Sequence, residues 1–203
     1  MVMAEELAAH LEGQLGPIDR GWAETASGER LLFSVARFRD VPMKGGVTFV
    51  TLGMSDVELS LPSGQGIRQE LVFCSYGAGG VSSIIPGLLN VVGEDVLRSG
   101  RALARGDVIG PGGPLFPGSS LTALYSSIPV IFSDDFYVWA GSAPATVFVW
   151  LIPVTSAEAG YVRSRGWSKF GDDLEQADPD LFGLGRCSLS SAIGHGGLRP
   201  KRP

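Results

Sequence analysis

The segment Thr146–Pro153 reads T-V-F-V-W-L-I-P and is apolar almost throughout. It is far shorter than the roughly 20 apolar residues a membrane span needs, and its β-branched and aromatic content marks it as a strand. A strand with no polar side has to be buried on both faces. The other runs of this kind are Arg30–Phe38 and Gly46–Leu52, joined by a turn around Pro42–Gly45, then Gln69–Tyr76, Leu121–Ile131 and Phe136–Gly141. Three stretches carry helical spacing instead. Ala4–Leu15 places Leu7, Leu11 and Leu15 four apart and is stopped by Gly16-Pro17. Ser82–Leu103 has Ser82 as a cap and Pro86 in its first turn. Ser156–Leu174 has Ser156 as its cap and Glu158 in its first turn, and is weakened by Gly160 and Gly166.

Gly 29 and Pro 13 among 203 residues exceed the usual background and favour many turns and short elements. The densest Gly/Pro stretch, Gly106–Ser120, is expected to be the longest loop. No internal repeat is visible. The reading is therefore a single α+β domain over residues 1–185, a mostly antiparallel mixed sheet of about six strands packed against helices. A Gly/Pro-rich basic tail is expected to follow over residues 186–203, solvated and flexible.

Charge excludes one class of partner. With 16 Lys and Arg against 21 Asp and Glu the net charge is -5, the reverse of a nucleic-acid binder, and the only basic cluster is Arg199, Lys201 and Arg202 in the tail. Cys74 and Cys187 are too few for a disulfide framework, which favours a reducing compartment. The amino terminus has Glu5 and Glu6 where a signal peptide carries Lys or Arg. A cytoplasmic protein with no membrane insertion is expected.

Chemistry is scarce. The two histidines, His10 and His195, lie on the first helix and in the tail, and neither they nor the two cysteines are spaced as a metal site. Gly53-Met54-Ser55-Asp56-Val57 lacks the last Gly of the hydrolase elbow, so Ser55 reads as a turn residue. Gly110–Ser120 lacks the G-K-[ST] ending of a phosphate loop, and Gly183-Leu184-Gly185 lacks the third Gly of a dinucleotide turn. The doublets Asp134-Asp135 and Asp172-Asp173 point their members in different directions and read as a turn and a solvated face. Asp56 and Glu70 each sit beside an apolar strand, with Arg68 close to Glu70, and an ion pair there is expected in preference to a catalytic acid. No enzyme, cofactor or metal is expected. Trp139 and Trp150 read as core or half-buried, and Trp167 as an exposed anchor.

The strand Thr48–Asp56 (T-F-V-T-L-G-M-S-D), followed by G-I-R-Q-E-L-V-F at Gly66–Phe73, resembles the suppressor-of-fused (SUFU-like) family. There a strand ending in a G-[ML]-S-D turn precedes a strand opening with Glu-Leu, here Thr51, Gly53, Met54, Ser55, Asp56, Glu70 and Leu71. The order continues through Ile84–Leu89, Pro111–Phe116, Leu121–Phe132 and Val147–Pro153 to a T-x-x-E helix opening at Thr155–Glu158, which covers about residues 40 to 180. Ile85-Pro86 replaces the family's Trp-Pro. The resemblance implies a non-catalytic protein-binding domain of the single-domain bacterial type. Such members are inferred to be immunity proteins of polymorphic toxin systems. It also places Ser133-Asp134-Asp135 near a peptide-contacting acidic residue of the two-domain relative, which clamps an extended peptide as an added strand. The expected partner is a cognate toxin, with Asp56, Glu58, Asp134 and Asp135 as its acidic contacts and Tyr125 and Tyr137 as aromatic anchors. The alternative is an adaptor or structural subunit of a secretion or contractile assembly.

Overall fold

The computed structural model describes residues 2–24, 27–77 and 83–189, and among them are four α-helices and nine strands. The fold class is α+β with a mixed sheet, as the strand and helix spacings imply. Ser82, the Gly-rich stretch 78–80, His195 and the basic residues Arg199, Lys201 and Arg202 lie outside the described residues. None of the described helices is long and apolar enough to cross a membrane.

Two compact units are present. The first comprises residues 1–107 and 126–152. Its sheet runs in the order β1 (Arg20–Glu24), β2 (Arg30–Arg39), β3 (Gly46–Leu52), β5 (Gly66–Tyr76), β9 (Thr146–Thr155). Three of the neighbouring pairs are antiparallel, and β5 with β9 is parallel, with Gln69 opposite Val147 and Leu71 opposite Val149. Two-residue strands flank this path: β4 (Leu59–Ser60) pairs with β5, and β8 (Val138–Trp139) with β9. The seven residues of β3 match the expected span and β9 extends it by two, and both are buried nearly throughout. Helix α1 (Val2–Leu15) contacts β3 and buries Leu7, Leu11 and Leu15. Helix α2 (Ile85–Ser99) packs on β2, β3 and β5 and buries Ile85, Leu89, Val92 and Val96.

The spacing over Ser82–Leu103 overstates α2. Gly100 takes a left-handed conformation (φ 66°), and its N–H returns to Val96 O and Leu97 O, so the chain leaves the helix there. Leu103 is held instead by Gln69, whose amide donates to Leu103 O at 2.8 Å and accepts from Leu103 N at 2.9 Å. The strand expected at Phe136–Gly141 is a 3-10 turn at Asp134–Phe136 followed by β8, and the strand expected over Leu121–Ile131 is β7 (Leu121–Ser127), which stops short of Pro129. Trp139 and Trp150 are buried.

The second unit comprises residues 108–125 and 153 onward. Within the expected long loop, β6 (Val108–Ile109) pairs antiparallel with β7, a strand too short to leave a periodic signal. The single helix expected over Ser156–Leu174 is two, α3 (Ser156–Arg165) and α4 (Trp167–Ala177), because Gly166 adopts φ 85° and ψ 160°. The cap of α3 is Thr155 and not Ser156. Trp167 opens α4 and is exposed. Arg186–Leu189, assigned to the tail by the sequence, are packed into this unit: Ser120 Oγ donates to Arg186 O at 3.1 Å and Leu189 is buried. The rest of the expected tail, 190–203, lies outside the described residues.

The conformation of Gly166 lies where an L side chain is strained. Gly166→Ala is expected to destabilise the protein by about 1–3 kcal/mol in urea unfolding, and to leave the break between α3 and α4 in place.

Candidate functional site

The Gly53–Asp56 motif and Glu70 meet in one buried knot. Strands β3 and β5 pair with Phe49 opposite Phe73 and Val50 opposite Val72. One step on, the Thr51 hydroxyl enters the ladder, accepting from Leu71 N at 2.8 Å and donating to Glu70 Oε2 at 2.6 Å. Glu70 Oε1 accepts three hydrogen bonds: from Gly53 N at 2.9 Å, Ser55 N at 3.0 Å and Ser55 Oγ at 2.7 Å. Converging both N–H groups on one oxygen requires a tight bend, and Gly53 supplies it at φ 107°. The 3-10 turn Met54–Asp56 that follows buries Met54 and leaves Asp56, Val57 and Glu58 exposed.

Arg68 does not pair with Glu70, contrary to the sequence expectation. Its Nη1 donates to the carbonyls of Ser55 at 2.6 Å and Asp56 at 2.9 Å, closing the turn from its other side. Glu70 is 0% exposed and its four hydrogen-bond donors are all uncharged. Burial pushes its carboxyl up to about 7, against the hydrogen bonds from Thr51, Ser55 and Gly53. The motif residues Thr51, Gly53, Met54, Ser55, Glu70 and Leu71 thus hold the turn in shape, and Asp56 alone of that group is presented to solvent.

A second turn carries the remaining acidic candidates. In the 3-10 turn Asp134–Phe136, Asp134 and Asp135 are exposed, and Phe136 is buried against Phe148 and Phe132, with ring centroids at 4.8 Å and 4.4 Å. Tyr137 continues the turn, its N–H bonded to Asp134 O at 3.1 Å and its hydroxyl to Phe132 O at 3.4 Å. Desolvation, with the Asp134 carboxylate beside it, holds the Tyr137 phenol above its ordinary value. Tyr137 and Val138 line an apolar groove of about 400 Å³ together with Leu61, Ile67, Leu103 and Ile128. Val138 is 48% exposed at this surface.

The structure therefore brings Asp134, Asp135 and Tyr137 together on one turn, and places Asp56 and Glu58 on and beside another. Tyr125 is excluded as a surface anchor: it is 2% exposed in β7, with its ring edge-on to Phe170 at 5.1 Å. Ala123, Leu124, Tyr125 and Ser126 are all buried, so both faces of β7 are covered there, which the local sequence around Tyr125 does not reveal. The groove had no sequence signal, because its lining comes from segments well separated along the chain.

Glu158 lies in the second unit and closes a capping box on α3. Its N–H donates to Thr155 Oγ1 at 3.2 Å, and Thr155 N donates to Glu158 Oε2 at 2.8 Å. Arg186 grips the same carboxylate through Nη1 to Oε1 at 2.7 Å and Nη2 to Oε2 at 3.0 Å, and also binds Pro153 O at 2.8 Å. Leu189 N adds a bond at 3.0 Å. Burial pushes the Glu158 carboxyl up, but the Arg186 guanidinium and the backbone donors outweigh it and hold the group below its ordinary value. Arg186 was missed because it stands 28 residues away in a Gly-rich segment.

Among the described residues no cluster of three or more His, Cys, Asp or Glu is placed to hold a metal ion. His10 lies in α1 against Phe148 and Trp139, and burial lowers its pKa. Cys74 and Cys187 are free thiols, and burial pushes Cys74 up to about 12.

Two expected outcomes test this wiring. A carboxyl whose pKa rises on folding holds its proton more tightly in the native state, so its contribution to stability is complete below the ordinary value of 4.5 and is lost as pH rises through about 7. Urea midpoints of the wild type measured against Glu70→Gln should fall progressively across that window, and a constant difference would refute the assignment. Glu158→Ala leaves Arg186, 7% exposed, without its counter-charge, and should destabilise the protein by about 3–5 kcal/mol in the same assay.

The family model described as "Suppressor of fused protein (SUFU)" matches residues 32–186. In three dimensions the chain is similar to a SUFU homologue from Neisseria gonorrhoeae FA 1090, with a TM-score of 0.70 and 17% identity over 92% of this chain and 96% of that one. It is similar to Drosophila Suppressor of Fused with a TM-score of 0.68 and 14% identity over 95% of this chain, which spans 51% of the Drosophila chain. A chain of the Sufu–Fu complex gives a TM-score of 0.65 and 13% identity, over 95% of this chain and 93% of that one. Among the curated proteins, none matches. The likenesses to solved structures show a shared fold, the family match spans more than half of the sequence, and the chain therefore belongs to the suppressor of fused protein (SUFU) family.

Proposed function

We propose that this chain is a non-catalytic protein-binding domain that neutralises a cognate toxin by direct association, as an immunity protein in the cytoplasm. The observation that carries the reading is the turn at Asp134–Phe136, which sets two exposed carboxylates and Tyr137 beside an open apolar groove. An apolar groove anchors a partner side chain, and flanking charges fix orientation and accelerate encounter. Family membership supports the binding reading, since one similar structure is that of the Sufu–Fu complex. The net charge of -5 suits a basic partner. Asp56, on its own braced turn, and Glu58 just beyond it are further exposed acids.

Capture of the tagged full-length chain from its own cells, with identification of the protein retained after a high-salt wash, supplies the partner. Co-expression then tests rescue from toxicity. A toxin that is bound and neutralised supports the reading, while a stoichiometric complex of structural subunits without rescue replaces it with the adaptor. With the partner in hand, the double variant Asp134→Lys/Asp135→Lys should slow association by about tenfold at low salt, and Tyr137→Ala should speed dissociation. Unchanged kinetics in both variants would place the interface elsewhere.

A further inference from the structure

Among the described residues, strand β1 ends the first unit's sheet and pairs with β2 alone. Four of its five residues are exposed and Trp22 is half-buried. Its outer edge therefore offers a row of backbone N–H and C=O groups to a further strand. The sequence of this edge, Arg20-Gly21-Trp22-Ala23-Glu24, is charge-complementary to its own reverse.

In an antiparallel pair of two copies with the two-fold axis at Trp22, Arg20 of each copy stands opposite Glu24 of the other. Gly21 stands opposite Ala23, and Trp22 opposite Trp22. Side chains directly opposed in an antiparallel pair are close enough to interact, with Cβ atoms about 5 Å apart. The two charges are available for this. Asp19, beside Arg20 in sequence, is taken by Arg37 and by Arg39 Nε at 2.6 Å. The Arg20 guanidinium has the Trp22 ring, 5.0 Å below it, and no carboxylate among the described residues. Glu24 likewise makes no ion pair among the described residues. The Trp22 ring is already set in place by Phe49 at 5.9 Å and by Arg37 at 5.7 Å. The register shift between β1 and β2 puts its extra residues on β2, where Arg30 to Val35 run against Trp22 to Glu24, so β1 itself carries no insertion that would break a new ladder.

We propose that β1 pairs with β1 of a second copy of this chain, antiparallel about a two-fold axis at Trp22, and joins two sheets into a homodimer. The contact is isologous, so each copy gives and receives the same two ion pairs. A five-residue strand addition covers less surface than the roughly 1,200–2,000 Å² of a stable complex, so the association is micromolar in strength and concentration-dependent.

Sedimentation of the full chain from about 1 µM to about 1 mM should show a monomer–dimer equilibrium. Arg20→Glu and Glu24→Arg each turn two attractive cross-strand pairs into repulsive ones, and each should raise the dimer Kd by about tenfold or more. The double variant Arg20→Glu/Glu24→Arg should restore dimerisation. An equimolar mixture of the two single variants should do so as well, because the acid introduced in one variant then faces the base introduced in the other, and the native Glu24 of the first faces the native Arg20 of the second. Circular dichroism confirms that each variant is folded. A wild type that stays monomeric across the range, single variants that dimerise like the wild type, or a mixture that fails to recover would each overturn the proposal.

Discussion

The Glu70 carboxylate, 0% exposed, accepts hydrogen bonds from Thr51, Gly53 and Ser55. Removing a carboxylate from water is costly, and neutral donors offset that cost only when several converge on it. The convergence sets the local architecture. It needs Gly53 left-handed so that its own N–H and that of Ser55 reach one oxygen, and it needs the Thr51 hydroxyl inside the ladder between Leu71 N and the carboxylate. Arg68 then fastens the same turn through the Ser55 and Asp56 carbonyls. A turn fixed from both sides shows its tip, Asp56 to Glu58, in one conformation, and a preformed surface loses less conformational entropy when it meets a partner.

The second unit answers the same physical problem differently. Glu158 is also buried, but Arg186 brings a full counter-charge in bidentate geometry, so the two glutamates move in opposite directions from their ordinary values. The Arg186 pair does more than compensate charge. By binding Glu158 and Pro153 O while Leu189 N reaches the same carboxylate, it ties the 186–189 segment onto the start of α3 and the end of β9. Ser119 and Ser120 add bonds to the carbonyls of Leu184 and Arg186.

The two buried carboxylates act on the backbone around them. Glu70 braces the turn that carries the exposed Asp56, with Glu58 just beyond it, whereas Asp134 and Asp135 are exposed on a separate turn. Phe136 acts on the second turn as the Glu70 knot does on the first: its ring, stacked on Phe148, pins the acidic pair beside the groove. In both places buried side chains fix the backbone that carries the exposed acids.

Strands β3 and β9 were readable in the sequence because each is buried on both faces, and a run without polar residues leaves little room for another assignment. The Gly53–Asp56 turn and the T-x-x-E opening of α3 were marked by the family resemblance, while local pattern alone named Ser156 as the cap in place of Thr155. Short or distant relations were not readable. Strands β4, β6 and β8 hold two residues each and exist only because longer neighbours offer an edge. The sequence contained every member of the Glu70 knot but pointed to Arg68 as its partner, since proximity along a strand stood in for proximity in space. The burial of Tyr125 came from packing that covers both faces of β7, with Phe170 of α4 against its ring. Local propensity and pattern thus determined the elements and the residues that brace them. The capture of Arg186 by Glu158, the groove gathered from separate segments, and the faces turned to solvent were decided by tertiary packing, because each depends on groups that only folding brings within hydrogen-bonding or van der Waals distance.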